Sequence, residues 1–181
     1  MKRKFTAAGA AVALVIGGGA WIGLTSATAS TAKPSLHGWP GAQASASKTI
    51  ASVKAEAANN GSHVLLLRAH QVKQTSIDVG PAGPSVGDYF MFEENLRYQG
   101  AAQVVGRDSV RCTFGATSFI CDGTLDLFAK GKIVIYGATF RGDANLFPVT
   151  GGTDHYQGVG GQLSTANLRH GNELLAFELT R

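Results

Sequence analysis

The stretch Arg107-Asp108-Ser109-Val110-Arg111-Cys112-Thr113-Phe114-Gly115-Ala116-Thr117-Ser118-Phe119-Ile120-Cys121-Asp122-Gly123-Thr124-Leu125-Asp126-Leu127 reads as two alternating runs around a short break led by glycine. Alternation with period two, rich in β-branched and aromatic residues, marks half-buried strands. If Gly115 to Ser118 is the loop of a hairpin, Phe114 faces Phe119 and Cys112 lies directly opposite Cys121. The predicted Cα separation is about 4.5 to 5.5 Å, which a disulfide tolerates. The same register sets Arg111 against Asp122, Arg107 against Asp126 and Ser109 against Thr124, so that one face is a ladder of matched polar pairs. The other face carries Val104, Val110, Cys112, Phe114, Phe119, Cys121, Leu125 and Leu127. A slip of one residue would move every side chain to the wrong face, so the cysteines, the charges and the apolar face support a single register.

Working outward, the same pattern repeats. From His63 onward, β-branched and aromatic runs cut by glycines predict eight strands, with cores at 63–77, 88–98, 103–114, 119–128, 132–140, 144–150, 159–168 and 172–180. Between the first two, Val79-Gly80-Pro81-Ala82-Gly83-Pro84 excludes a strand interior. Lys130-Gly131 and His170-Gly171 are predicted to turn the chain between the fourth and fifth and between the seventh and eighth strands. Strands joined by short hairpins form an up-and-down meander, and closure removes its exposed edges. The expected fold is therefore all-β, an eight-stranded antiparallel closed β-barrel. Such a barrel is just wide enough to be filled by side chains or to hold one small ligand.

The N-terminal third differs in composition. Lys2, Arg3 and Lys4 precede a weakly apolar stretch from Ala7 to Leu24, and Ala27-Thr28-Ala29 has the small-x-small form that signal peptidase reads. Residues 1–29 are thus expected to be a secretory signal peptide cleaved near Ala29. An uncleaved anchor tethering the chain to the membrane is the alternative, since the stretch approaches the length of a bilayer span. No Cys follows it, which excludes a bacterial lipoprotein. After cleavage no stable membrane span is expected. Residues 30–62, rich in Ala, Ser and Thr, read as a linker, with a short docked helix in the Ala-rich half as the alternative. Residues 63–181 form the barrel domain.

Export also changes the charge. The whole chain carries +4, but three of its cations lie in the signal peptide, and thirteen Lys and Arg against twelve Asp and Glu leave +1. The remaining charges are interleaved, so no nucleic-acid partner is expected. Two cysteines in an exported protein are most simply one disulfide. The five histidines are scattered without ligand spacing, and no metal site is expected.

The segment Pro148-Val149-Thr150-Gly151-Gly152-Thr153-Asp154-His155-Tyr156-Gln157-Gly158-Val159-Gly160-Gly161-Gln162 resembles the hallmark V-T-G-G-T-x-x-Y-x-G-V-x-G-Q of the allene oxide cyclase barrel family, to which dirigent proteins and bacterial spirotetronate-type cyclases are related. Supporting similarity lies in Val86-Gly87-Asp88, in 95–100 and in 128–140. In this string Gly151 and Gly152 permit a reversal, Tyr156 can plug the barrel end, and Gly158 and Gly161 let the next strand approach closely. The resemblance implies a closed barrel whose members range from cyclases that need no cofactor to stereochemistry-directing proteins without a catalytic centre. It also implies a lumen carboxylate on the first strand and a second-strand Asn. Here the first strand has no acid before Asp78, and Asn95 is the match for the Asn, with Glu94 equally well placed.

Alternation on the second strand sets Phe90, Phe92, Glu94, Leu96 and Tyr98 on the predicted interior and Tyr89, Met91, Glu93, Asn95 and Arg97 on the other face. Glu94 would then be a lone carboxylate among aromatics, suited to acid or base work; the alternative is a β-bulge at Glu93-Glu94 that returns it to solvent. Asp108 is the one charge on the apolar face of the third strand, in the lumen or paired at the rim. Tyr136 shares the Leu125 face if Lys130-Gly131 is a two-residue turn, as a lumen donor or as barrel packing. Catalytic candidates are therefore Glu94, Asp108 and Tyr136; ligand-binding candidates are Phe90, Phe92, Asn95 and Tyr156. The expected function is binding of a small apolar molecule in the lumen, with cyclisation or isomerisation without a cofactor as the chemistry the resemblance implies. The alternative is a non-catalytic secreted barrel acting through its exterior, and assembly into a homo-oligomer is compatible with either.

Overall fold

The computed structural model describes residues 45–140 and 146–181, so the expected signal peptide, the first part of the expected linker and the predicted strand start at Ala144 lie outside the described residues. The strands are β1 (His63–Ile77), β2 (Tyr89–Tyr98), β3 (Gly106–Phe114), β4 (Ser118–Leu127), β5 (Gly131–Phe140), β6 (Leu146–Gly152), β7 (Gly160–Asn167) and β8 (Asn172–Thr180). Each pairs antiparallel with its sequence neighbours and β8 pairs back onto β1, which closes an eight-stranded barrel. β1 and β8 have the predicted bounds. β3 begins at Gly106 rather than Gln103, and Val105 rather than Val104 packs against the core.

The β3–β4 hairpin has the predicted register, with Phe114 opposite Phe119 and Cys112 opposite Cys121. The disulfide is present, at a Cα separation of 4.1 Å that is shorter than the range expected from strand geometry. On the outside, Arg111 Nη2 lies 2.9 Å from Asp122 Oδ1, and Arg107 Nε lies 3.8 Å from Asp126 Oδ2. Both pairs are solvent-exposed and contribute little to stability.

The turn after β4 corrects the sequence reading. β4 ends at Leu127, opposite Gly131, so that Phe128, Ala129 and Lys130 form a three-residue loop with Ala129 in the left-handed region. A two-residue turn would have set Leu125 against Tyr136. The extra residue sets Leu125 against Ile133 and turns Ile133 and Ile135 inward. Tyr136 then lies opposite Asp122 on the outer wall, 56% exposed.

In the Ala-rich half of 30–62 the structure shows the alternative, a docked helix. Ala46–Asn60 is a 15-residue helix, α1, capped at its N-terminus by the Ser45 side chain, which accepts from the Lys48 N–H. Its buried stripe is Thr49, Val53 and Ala57, small residues that let the helix pack closely on Leu174, Ala176 and Ala166 outside β8 and β7. Asn60 Nδ2 donates to Glu178 Oε1 at 3.1 Å, and Gln162 Nε2 donates to Glu178 Oε2 at 2.7 Å, so a carboxylate buried on the outer wall is held from both sides.

Inside, Leu67, Leu96, Leu125, Leu127, Ile133, Leu163 and Phe177 form the core. The chain leaves β6 through a one-turn 3-10 helix, Asp154–Tyr156, which seats the buried Tyr156 at the Leu127–Gly131 end of the barrel. Gly152 is required there, because a Cβ would lie 2.7 Å from Tyr156 Cβ and 2.5 Å from the Lys132 carbonyl. Gly161 sits against the Glu178 carbonyl with no room for a side chain.

Candidate functional site

The site grows from the alternation of β2. Phe90, Phe92, Glu94 and Leu96 all point inward, and Glu94 is 5% exposed. A bulge is present at this level, but on the partner strand: Gln71 pairs with Glu94 and Lys73 with Glu93, leaving Val72 as the extra residue, 54% exposed. Because β1 carries the irregularity, the pleat of β2 is uninterrupted and Glu94 stays inside.

Asp108, 3% exposed, stands directly opposite Glu94 on β3 and is the partner that the alternation of a single strand does not reveal. Burial, followed by the negative charges of Asp108 and Glu173, pushes the Glu94 carboxyl up to about 9. Burial and Glu173 push Asp108 up to about 7, opposed by hydrogen bonds from the Glu94 side chain and its backbone N–H. The direction is the same for both: two carboxyls this close inside an apolar wall retain a proton at neutral pH, and it resides on Glu94, donating to Asp108. Asp108 Oδ1 is buried with no hydrogen-bond partner.

Glu173 is the residue that sequence reasoning missed. It is the second residue of β8 and lies between Ala69 of β1 and Asn167 of β7, on the inward side with Leu175 and Phe177. The usual signal was absent because β8 is buried on both faces: Leu175 and Phe177 fill the lumen while Leu174 and Ala176 lie under α1. Without polar and apolar alternation, the strand does not announce which side its glutamate faces.

Phe92, Val110, Leu125, Phe147, Leu163, Leu175 and the disulfide wall a partly open cavity whose polar members are Glu94, Asp108, Thr165 and Glu173. Its free volume is about 40 Å³. A water needs roughly 10 to 15 Å³ of such space, so the cavity holds a few waters as it stands. Phe90 belongs instead to an aromatic cluster next to the disulfide, edge-on to Phe119 at 5.8 Å and to Phe114 at 6.0 Å. Asn95 faces outward between His70 and Arg107, away from the lumen. Tyr156 does not line the cavity either; it borders a separate recess with His63, His155 and Arg181. Tyr136, on the outer wall, brings no hydroxyl to the lumen. Of the predicted residues, the cavity therefore brings together Glu94, Asp108 and Phe92 and leaves out Phe90, Asn95, Tyr136 and Tyr156. Among the described residues no group of acids, histidines and cysteines converges closely enough to hold a metal ion.

This architecture is shared with solved structures. Pyocyanin demethylase superposes with a TM-score of 0.57 at 26% identity, over 65% of this chain and 100% of that one. The Diels-Alderase AbmU from Streptomyces koyangensis gives 0.54 at 17% identity, over 75% of this chain and 72% of that one. AbnU, an exo-specific intermolecular Diels-Alderase, gives 0.50 at 20% identity, over 65% and 95% of the two chains. The barrel resembles those of bacterial cyclases. No protein-family model matches the chain, and no curated protein matches it in sequence. The likeness to allene oxide cyclases and dirigent proteins rests on the sequence, on the Pro148 to Gln162 motif with its supporting segments.

Proposed function

We propose that this protein is an exported barrel that binds a small, mostly apolar molecule in its lumen and transfers a proton to or from it through the Glu94–Asp108 pair. The observation that carries this reading is the placement of those two carboxyls side by side in an otherwise apolar cavity. A protonated Glu94 can donate and an ionised Asp108 can accept, so one pair supplies both halves of an isomerisation or cyclisation that moves a proton within the substrate. The resemblance to barrel cyclases supports a cyclisation in which the walls hold the substrate in a reactive conformer, the proton transfer rests on the carboxyl pair itself, and the reaction proposed needs no cofactor. The disulfide supports export, since such bonds persist in oxidising compartments; among the described residues no helix is long and apolar enough to cross a membrane.

A second reading is favoured by one observation. The free volume of about 40 Å³ is far below the roughly 300 to 1,000 Å³ of ordinary small-molecule sites, as in a barrel whose lumen its own side chains fill and whose exterior does the work. A lumen ligand must therefore displace side chains such as Phe92 or Phe147. Metabolite capture by the exported protein, read by native mass spectrometry, separates the readings when followed by amide chemical-shift mapping. Shifts at Phe92, Leu175 and Asp108 support lumen binding, and turnover lost in Glu94→Gln with binding kept supports proton transfer. Shifts confined to the outer Arg–Asp ladder overturn the lumen reading.

A further inference from the structure

Helix α1 covers the outer wall of the barrel at β7 and β8, and the outer wall of β2 to β5 lies on the far side. There the strand register lays the outward side chains in level rows. One row runs Met91, Arg111, Asp122, Tyr136 and another Asn95, Arg107, Asp126, Lys132, with Ser109 and Thr124 between them on the two middle strands. Met91 is 41% exposed and Tyr136 56%, and with Arg111 and Val134 they wall an open recess of about 460 Å³. The cations of both ladder rungs stand on β3 and the anions on β4, 2.9 and 3.8 Å apart. Lys132 and Glu93 bring these rows to three charges of each sign, so a uniformly charged partner such as a nucleic acid or an anionic membrane gains no net attraction from them. The surface that matches the face is its own pattern reversed from β2 to β5. A two-fold axis lying in the interface along the β3–β4 hairpin supplies that reversal, because it lays β3 of one copy over β4 of the next at the same level.

We infer that the outer wall of β2 to β5 is an isologous docking face for a second copy of this chain. In that arrangement Arg111 of each copy faces the partner's Asp122 and Arg107 faces the partner's Asp126, so each exposed ion pair becomes a square of four charges with unlike neighbours along every edge. Such a network contributes where an isolated surface pair does not. At the ends of the central row Met91 meets the partner's Tyr136, a sulfur–aromatic contact, and the ring enters the recess. Between the charged rows Ser109 meets the partner's Thr124, hydroxyl to hydroxyl. Strands about 4.8 Å apart and rows about 6.7 Å apart give a footprint of roughly 450 Å² per copy, short of the roughly 800 Å² of a standard interface, so the association is weak, with a Kd of about 10 to 200 µM. The face points away from the Glu94–Asp108 pair and is independent of what the lumen binds.

Sedimentation equilibrium of the full exported protein, loaded at about 5 to 500 µM, should show a monomer–dimer equilibrium within that range. Arg111→Asp and Asp122→Arg each set like charges against each other across the axis and should weaken self-association at least about tenfold while leaving the circular dichroism spectrum unchanged. Mixed in equal amounts, the two variants again oppose unlike charges across the axis. They should form a heterodimer, identified by its mass in native mass spectrometry, with an affinity within about fivefold of the wild type. Tyr136→Ser, at an exposed position, should weaken self-association at least about threefold and reads the same face if a charge variant loses its fold. Recovery in the mixture supports the inference, because neither a folding defect nor a different face would restore association. A wild type that stays monomeric at about 500 µM or assembles as a trimer, folded charge variants that dimerise as the wild type does, or a mixture of them that stays monomeric overturns it.

Discussion

Glu94 of β2 stands directly opposite Asp108 of β3 on the inner wall of the barrel, each at most 5% exposed. Both carboxyls titrate above their unfolded values of 4.5 and 3.8, so folding takes up protons. Their contribution to stability is fully present below the ordinary carboxyl range and is lost as the pH rises through about 7 and about 9. Thermal unfolding followed by circular dichroism should therefore show Tm falling between pH 5 and 9. Glu94→Gln should flatten that fall by at least about 4 °C, the equivalent of ~1 kcal/mol in a domain of this size. A Tm that rises over this interval would mean that the pair is ionised in the folded state.

Asp88 shows the opposite dependence. Its carboxylate accepts from the backbone N–H groups of Val79 at 2.8 Å, Gly80 at 3.3 Å and Ser85 at 2.6 Å, which ties down the Pro- and Gly-rich crossing from β1 to β2. Those bonds hold its carboxyl below the ordinary value, so its contribution is present above that value and lost as the pH falls through the depressed one. Asp88→Ala should raise amide exchange across residues 78–88 and abolish the acid sensitivity of that exchange. Unchanged exchange would show that the prolines alone order the crossing.

The Cys112–Cys121 bridge joins two strands within one hairpin and lies wholly inside the lumen. Thiol titration of the unreduced protein should find no reactive thiol. Because the closed loop is short, replacing both cysteines by alanine should cost about 2 to 4 kcal/mol in denaturant unfolding, combining the lost cross-link with a small cavity. A cost below about 1 kcal/mol would mean that the hairpin register is held by its other pairs.

Helix α1 meets the barrel through Val53, 2% exposed, against Leu174 and Ala176. Val53→Asp should undock the helix: hydrogen exchange over Ala46–Asn60 should rise to the level of a free peptide while β2 to β5 stay protected, and overall stability should drop by about 2 to 3 kcal/mol. Loss of protection throughout the barrel would show instead that α1 and the sheet fold as one unit.

Tyr136→Phe removes a hydroxyl from the outer wall next to Asp122. It should leave binding of any lumen ligand within about twofold and change stability by less than about 0.5 kcal/mol, as measured by the same shift mapping and unfolding. A larger binding effect would place the ligand outside the barrel.

Much of the barrel is legible in the chain because strand alternation and cross-strand pairing are local. Cys112 and Cys121, Arg111 and Asp122, and Arg107 and Asp126 are near enough in sequence for one loop length to pair them all. Tyr136 was misplaced for the same reason: a single residue in the loop at Phe128 to Lys130 reverses the parity of everything after it, and Lys130-Gly131 looks like a two-residue turn until Ala129 is seen to adopt the left-handed conformation. Helix α1 was faint because its buried stripe is Thr49, Val53 and Ala57, residues too small to stand out on a hydrophobicity scale.

The chain alone determined most of the strands, the register of the central hairpin, its disulfide and the inward direction of Phe92, since each follows from period two over a few residues; it left Glu94 between the lumen and a bulge, and Asp108 between the lumen and the rim. Only the tertiary structure decided that the bulge falls on β1 and leaves Glu94 inside opposite Asp108, that closure of β8 onto β1 brings Glu173 to join them, and how little free space remains around them. Glu94 and Glu173 lie far apart along the chain, and charge proximity depends on distance through space.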